Sequence, residues 1–180
     1  MATTYAVLLR GINVGGKNKL AMPRLRQVLA DAGHAAVRTY VQSGNVVLES
    51  KAKPAALAAA IHDRIASSFG LDIAVVVRSA SELADIAAHN PFLRPDADPS
   101  RNLHVAFLES TPAAGAAAKL DPHRAAPDEL HLRGREIYLW CPEGMGRSKV
   151  MIGVERLLAT SATVRNWRTV TELVRLSAAR

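Results

Sequence analysis

AVRTYVQSGNVVLES, residues 36–50, decides the fold. Two runs rich in strand-forming residues, 36–42 and 45–50, meet across Ser43-Gly44, with Asn45 helping the turn, which predicts an antiparallel hairpin. A hairpin here argues against a purely parallel sheet, whose neighbouring strands need long crossovers. Upstream, TYAVLLR at 4–10 reads as a buried strand, followed by a glycine-rich stretch. Pro23 then opens a helix whose apolar face (Leu25, Val28, Leu29) stops at Gly33. Downstream, Pro54 opens an Ala-rich helix that runs to about Phe69 and stops at Gly70, and DIAVVVR at 72–78 supplies another strand. The first half is therefore expected to run β-α-β-β-α-β.

Past residue 80 the same order begins again. Ser81-Glu82 starts a short helix to about His89, and NPFLRPDADPSR at 90–101 reads as a linker. NLHVAFLE at 102–109 is a strand, a short helix falls near 112–119, and 128–133 pairs with 135–141 around Gly134. Helices are expected from Ser148 to about Ala159 and from Thr163 to about Ala178, so that a helix takes the place of the last strand. The predicted fold class is α+β. Two βαββ-type, ferredoxin-like halves (1–79 and 102–180) carry antiparallel or mixed sheets with helices on one face, joined by a linker helix and loop at 80–101 and ending in a C-terminal helix.

Composition narrows the function classes. Of the 180 residues 49% are hydrophobic, enough to bury an interior and to exclude wholesale disorder, while aromatics are only 4%, so the core rests on Val, Leu and Ile. The apolar stretch YAVLL is too short for a signal peptide, and no run is long enough to span a bilayer. Cys141 is the single cysteine, which leaves neither an internal disulfide nor a cysteine-based metal site. The expectation is a cytoplasmic protein with no membrane association. The six histidines show no paired metal spacing, so no metal site is expected.

The net charge of +7 is unevenly spread. Residues 1–42 hold six Lys/Arg and one acid, 43–130 hold eight and eleven, and 131–180 hold nine and four. Two basic ends around an acidic middle favour an anionic partner.

RGINVGGKN, 10–18, follows the first strand and nearly spells a phosphate-binding loop, with Gly11, Gly16 and Lys17 at the required spacing. Asn18 stands where a magnesium-binding hydroxyl belongs, and Pro23 starts the helix too late, so a Walker site is not expected. Arg10, Asn13, Gly15, Gly16, Lys17 and Asn18 are instead read as an anion-contacting loop, against the plainer reading of a flexible Gly15-Gly16 connector. GMGRSKV, 144–150, leads into the helix expected from Ser148, which would serve as its N-cap and place Arg147 and Lys149 at the positive end of the helix dipole. Thr163-Val164-Arg165-Asn166 is expected to repeat that arrangement. Cations at two helix starts favour anion sites there, unless the side chains simply bend into water.

Ser43 and Asn45 serve the turn first and line a polar pocket second. Trp167 is read as a core or lid residue. Ser148 beside Lys149 offers a weak catalytic pair without a base, Ser148 being better placed to cap, and Cys141 reads as a small buried hydrophobe more readily than as a nucleophile.

The set RGINVGGKN, YVQSGNVVLES, NPF, GMGRSK and ATVRNWRTVTEL resembles the bacterial domain-of-unknown-function 1697 family, in the same order from Arg10 to Leu173. The resemblance implies a tandem ferredoxin-like build and no established activity or cofactor. It also implies that Arg10, Gly11, Asn13, Gly15, Gly16, Lys17, Ser43, Gly44, Asn45, residues 146–149, Arg165, Asn166 and Trp167 belong to the family's pattern. Val150 stands where that family often has leucine.

The expected function is binding of a phosphate-bearing ligand, either a nucleotide or a nucleic acid backbone. The expected place is one basic pocket between the halves, with 10–18 as one wall and Arg147, Ser148, Lys149, Arg165 and Asn166 as partners. The scarcity of aromatics argues against base stacking on a sheet. The alternatives are an enzyme acting on a small anionic substrate, and a scaffold or homo-oligomer.

Overall fold

The computed structural model describes residues 1–93, 99–123 and 125–178. Its chain divides into two units, one of Met1–Asp85 with the segment from Glu172 onward, the other Ile86–Thr171.

In the first unit the strands are β1 (Thr3–Leu9), β2 (Ala35–Tyr40), β3 (Asn45–Ser50) and β4 (Val75–Ser79), with helices α1 (Met22–Asp31) and α2 (Pro54–Phe69) between them. The sheet order is β2-β3-β1-β4 with every neighbour antiparallel, the ferredoxin-like order. Alternation explains the core. Tyr5, Val7 and Leu9 share one face of β1 and cluster with Leu25 and Leu29 of α1 and with Leu57, Ile61 and Ile65 of α2, spaced every fourth residue. Pro54 stands in the first turn of α2, and Gly70 closes it at φ 67°. The strand expected at 36–42 is shorter at its far end, because residues 41–44 form the turn.

The link between the halves starts sharply. Ser79 and Glu82 form a reciprocal capping box: the Ser79 backbone N–H donates to Glu82 Oε2 at 2.7 Å, and the Glu82 N–H donates to Ser79 Oγ at 3.2 Å. It opens α3 (Ala80–Ala88). Of the expected linker 90–101, residues 94–98 lie outside the described residues, and Pro99–Asn102 form the short helix α4.

The second unit repeats the topology: β5 (Leu103–Leu108), a single 3-10 turn (Ala117–Lys119), β6 (Glu129–Arg133), β7 (Glu136–Trp140), α5 (Val154–Leu158) and β8 (Ala162–Asn166), ordered β6-β7-β5-β8. Three expectations are corrected here. The helix near 112–119 shrinks to one 3-10 turn, with Gly115 at φ 81° just before it. The helix expected from Ser148 begins only at Val154, because Gly153 at φ 75° interrupts the path. Residues 163–166 are not helical either. They belong to β8, which pairs with β5 in the register Val105↔Arg165, and so the second half does end its sheet with a strand. Asn166 then caps α6 (Trp167–Ala178), its Oδ1 accepting the Thr169 N–H at 2.8 Å.

The repeat reaches individual residues. Arg78 on β4 pairs with Ala6, three residues before Leu9, and Arg165 on β8 pairs with Val105, three residues before Leu108. Both arginines are buried, at 1% and 7% exposure, and each donates from Nη1 to the carbonyl of the preceding residue at 2.9 Å. Burial pushes the Arg165 guanidinium down to about 10, which leaves it charged at neutral pH.

On β5, His104 is nearly buried and its Nδ1 has no partner among the described residues. Burial lowers its pKa, with a backbone hydrogen bond at Asn102 working the other way. Between that lowered value and the ordinary 6.5 the unfolded chain binds more protons than the folded one. Stability from this group is therefore lost as pH falls through 6.5. His104→Gln is expected to show a shallower fall in Tm between pH 7 and pH 5 than the native chain, read by thermal melts; an unchanged slope contradicts the assignment.

Candidate functional site

Residues 10–18 form a small hairpin. The Lys17 N–H donates to the Val14 carbonyl at 3.0 Å and the Asn13 N–H to the Asn18 carbonyl at 3.2 Å. Gly15 and Gly16, at φ 57° and 77°, occupy the two central positions of the turn, where positive φ favours glycine. The side chains stabilise the loop from within. Asn13 Nδ2 donates to the carbonyls of Leu20 at 2.9 Å and Gln42 at 2.8 Å, and its Oδ1 accepts the Leu20 N–H at 2.8 Å. Asn18 Nδ2 donates to the Gly11 carbonyl at 3.1 Å. Arg10 is exposed, and its N–H donates to the Ala74 carbonyl at 3.0 Å. Lys17 is exposed and makes no ion pair among the described residues.

The Ser43-Gly44-Asn45 turn meets this loop within the first unit. Asn45 is fully buried and donates from Nδ2 to the Tyr40 carbonyl at 3.1 Å and to Ser43 Oγ at 3.0 Å. The Gly44 carbonyl accepts the Leu9 N–H at 2.8 Å. Two of the sequence motifs are thus joined by their own hydrogen bonds.

Residues 144–149 lie in the second unit, on turns after β7. An open cleft of about 400 Å³ is lined by residues 125–128, 143–144, 147–149 and Ile152. Without a helix beginning at Ser148, Arg147 and Lys149 act as side-chain charges on turns. Both are exposed and neither makes an ion pair among the described residues. Ser148 Oγ accepts the Val150 N–H at 3.1 Å, which folds the turn. Cys141 packs in the core beneath, its Sγ 3.9 Å from Met145 Sδ. Burial pushes its thiol up to about 11; a hydrogen bond with Ser148 opposes the rise and the charge of Asp128 adds to it. A thiol at about 11 is protonated at neutral pH, so Cys141 is not an activated nucleophile.

Arg165 and Asn166 do not line this cleft: Arg165 is held in β8, with Nη1 also donating to Thr163 Oγ1 at 2.7 Å, and Asn166 caps α6. Sequence reasoning missed Asp128 and Glu143, which do line it. The position of Glu143 directly before GMGRSK was a signal; Asp128 is fifteen residues further upstream and carried none. No group of three or more His, Cys, Asp or Glu among the described residues is placed to hold a metal ion.

The fold and these turns define an α+β protein of two like sheets, with the loops at 10–18 and 43–45 held by their own hydrogen bonds. The chain belongs to the family described as protein of unknown function (DUF1697), whose sequence model matches residues 2–138. Among solved structures it is similar to the conserved bacterial protein SP0830 from Streptococcus pneumoniae, at 24% identity and a TM-score of 0.72 over 98% of this chain and 99% of that one. That likeness supports the fold. A comparison with curated proteins gives no match. No helix among the described residues is long and apolar enough to cross a membrane.

Proposed function

We propose that the chain binds a small phosphate-bearing molecule, such as a nucleotide, in the cleft of its second unit. The observation that carries this reading is the pair Arg147 and Lys149, exposed, without ion-pair partners among the described residues, and flanking the Ser148 hydroxyl on one wall of the cleft. A volume of about 400 Å³ lies in the range of small-molecule sites. Phosphate is favoured because guanidinium and ammonium groups bind its oxygens through charge-assisted hydrogen bonds. On the first unit, Lys17 at the exposed hairpin tip supports a separate, weaker anion contact, which the glycines of that turn serve by shaping the loop.

The test is titration of the full chain with nucleotides and inorganic phosphate at low salt, followed by backbone amide shifts. Shifts are expected at residues 144–152, and the double variant Arg147→Ala/Lys149→Ala should weaken binding about tenfold or more. Unchanged amide shifts at millimolar ligand, or an unaffected double variant, would overturn the reading.

A further inference from the structure

The cleft that carries the two cations carries two carboxylates as well. Asp128 is only 7% exposed, and its side chain has no hydrogen-bond or ion-pair partner among the described residues; its N–H donates to the Ala125 carbonyl at 3.0 Å. The wall around it, residues 125–127, is Ala-Ala-Pro and offers the carboxylate no polar side chain. Glu143 is exposed, lines the same cleft and is likewise unpaired among the described residues. The Asp128 oxygens are not among the fully buried atoms without a partner, so the carboxylate opens to the cleft it lines, where an opposite charge is its natural complement. Arg147 and Lys149 line the cleft but do not supply it, since neither reaches ion-pair distance of Asp128 or Glu143. Charges of both signs thus face one cavity without neutralising each other.

We infer that the ligand of this cleft is zwitterionic: its phosphate faces Arg147 and Lys149, and an ammonium group on the same molecule faces Asp128, with Glu143 at the rim. The inference rests on the phosphate reading and adds the second charge. A primary ammonium suits the place because it is compact and donates three hydrogen bonds, so one oxygen of a half-enclosed carboxylate satisfies part of it and Glu143 another. A hydrated magnesium ion held by one or two carboxylates and the phosphate is the competing occupant, and the magnesium arm of the experiment separates the two.

The experiment compares two probes of equal size, phosphoethanolamine and 2-hydroxyethyl phosphate, which differ by an ammonium in place of a hydroxyl. Each is titrated calorimetrically into the full chain at fixed ionic strength, with and without magnesium. Phosphoethanolamine is expected to bind about tenfold more tightly without magnesium. Asp128→Asn should bring the ratio near one while sparing the affinity for 2-hydroxyethyl phosphate. Glu143→Gln, at an exposed position, should lower the ratio in part and serves as the second variant should Asp128→Asn fail to fold. Equal affinities for the two probes, with both lost in Arg147→Ala/Lys149→Ala, would overturn the zwitterion and leave the phosphate reading standing. Preference for the hydroxyl probe, or tight binding only with magnesium, would overturn it in the same way. Binding of neither probe would overturn both readings.

Discussion

Gly44→Ala is expected to lower stability by about 2–5 kcal/mol, a fall in Tm of roughly 5–15 °C. Two effects add. Gly44 sits at φ 79°, where an L side chain is strained. A Cβ there would also stand 2.8 Å from Leu9 Cβ and 2.9 Å from Ile12 Cγ1 and Cδ1. Leu9 Cβ is fixed to the backbone of β1, so it cannot swing aside, and Ile12 is itself buried at 1% exposure. The clash would push β1 away from the turn and strain the Leu9–Gly44 hydrogen bond. Gly15→Ala is the control: its φ of 57° carries the strain, but nothing lies within 4 Å of the added atom. It should lose only about 1–2 kcal/mol. Equal losses in the two variants would show that close approach plays no part at Gly44.

Leu139→Ala is expected to lower stability by about 2–5 kcal/mol, the range for removing a fully buried leucine. Leu139 is at 0% exposure, sits on central strand β7 opposite Leu130 and His104, and belongs to the cluster with Val150, Val154 and Leu158. That cluster underlies the turns carrying Arg147 and Lys149, so amide exchange in 144–152 should quicken in the variant. Chemical denaturation checks the first effect and hydrogen exchange the second. A loss below about 1 kcal/mol would mean the site relaxes around the cavity. Lys17→Ala, at an exposed position, should stay within about 0.5 kcal/mol of the native chain.

Local signals explain what was legible in the sequence. Pro54 and Gly70 bracket α2, TYAVLLR is a short apolar run, and Ser43-Gly44 marks the hairpin, so the first half could be read from neighbouring residues alone. β8 could not. Residues 162–166 alternate over only five positions and run straight into the apolar period of α6, so a helix pattern absorbed them. The strand exists because β5 offers an edge some sixty residues earlier in the chain, a non-local cause that no window contains. The loops at 112–119 and 148–153 failed for the opposite reason: alanine and turn-compatible residues read as helix, while Gly115 and Gly153 at positive φ end it.

The candidate site was legible in part for related reasons. Arg147, Ser148 and Lys149 stood out as a run of adjacent charged and polar residues, although the helix dipole invoked for them is absent. Asn13, Asn18 and Asn45 attracted attention as polar groups, and each proves to hold a turn together. Asp128 and Glu143 join the cleft only through the β6–β7 hairpin, which brings residues fifteen apart to one cavity.

The grouping of the chain from Glu172 onward with Met1–Asp85 has a consequence for biosynthesis. The second unit is continuous in the chain, and its last strand β8 (Ala162–Asn166) emerges from the ribosome a few residues ahead of Glu172. The first unit cannot be completed as early: Arg38 Nη1 donates to the Leu176 carbonyl at 3.4 Å, a partner 138 residues downstream. The part translated first is therefore finished last: its sheet waits for the segment from Glu172 until the whole of the second unit has been made, and is open to proteases or chaperones in the meantime.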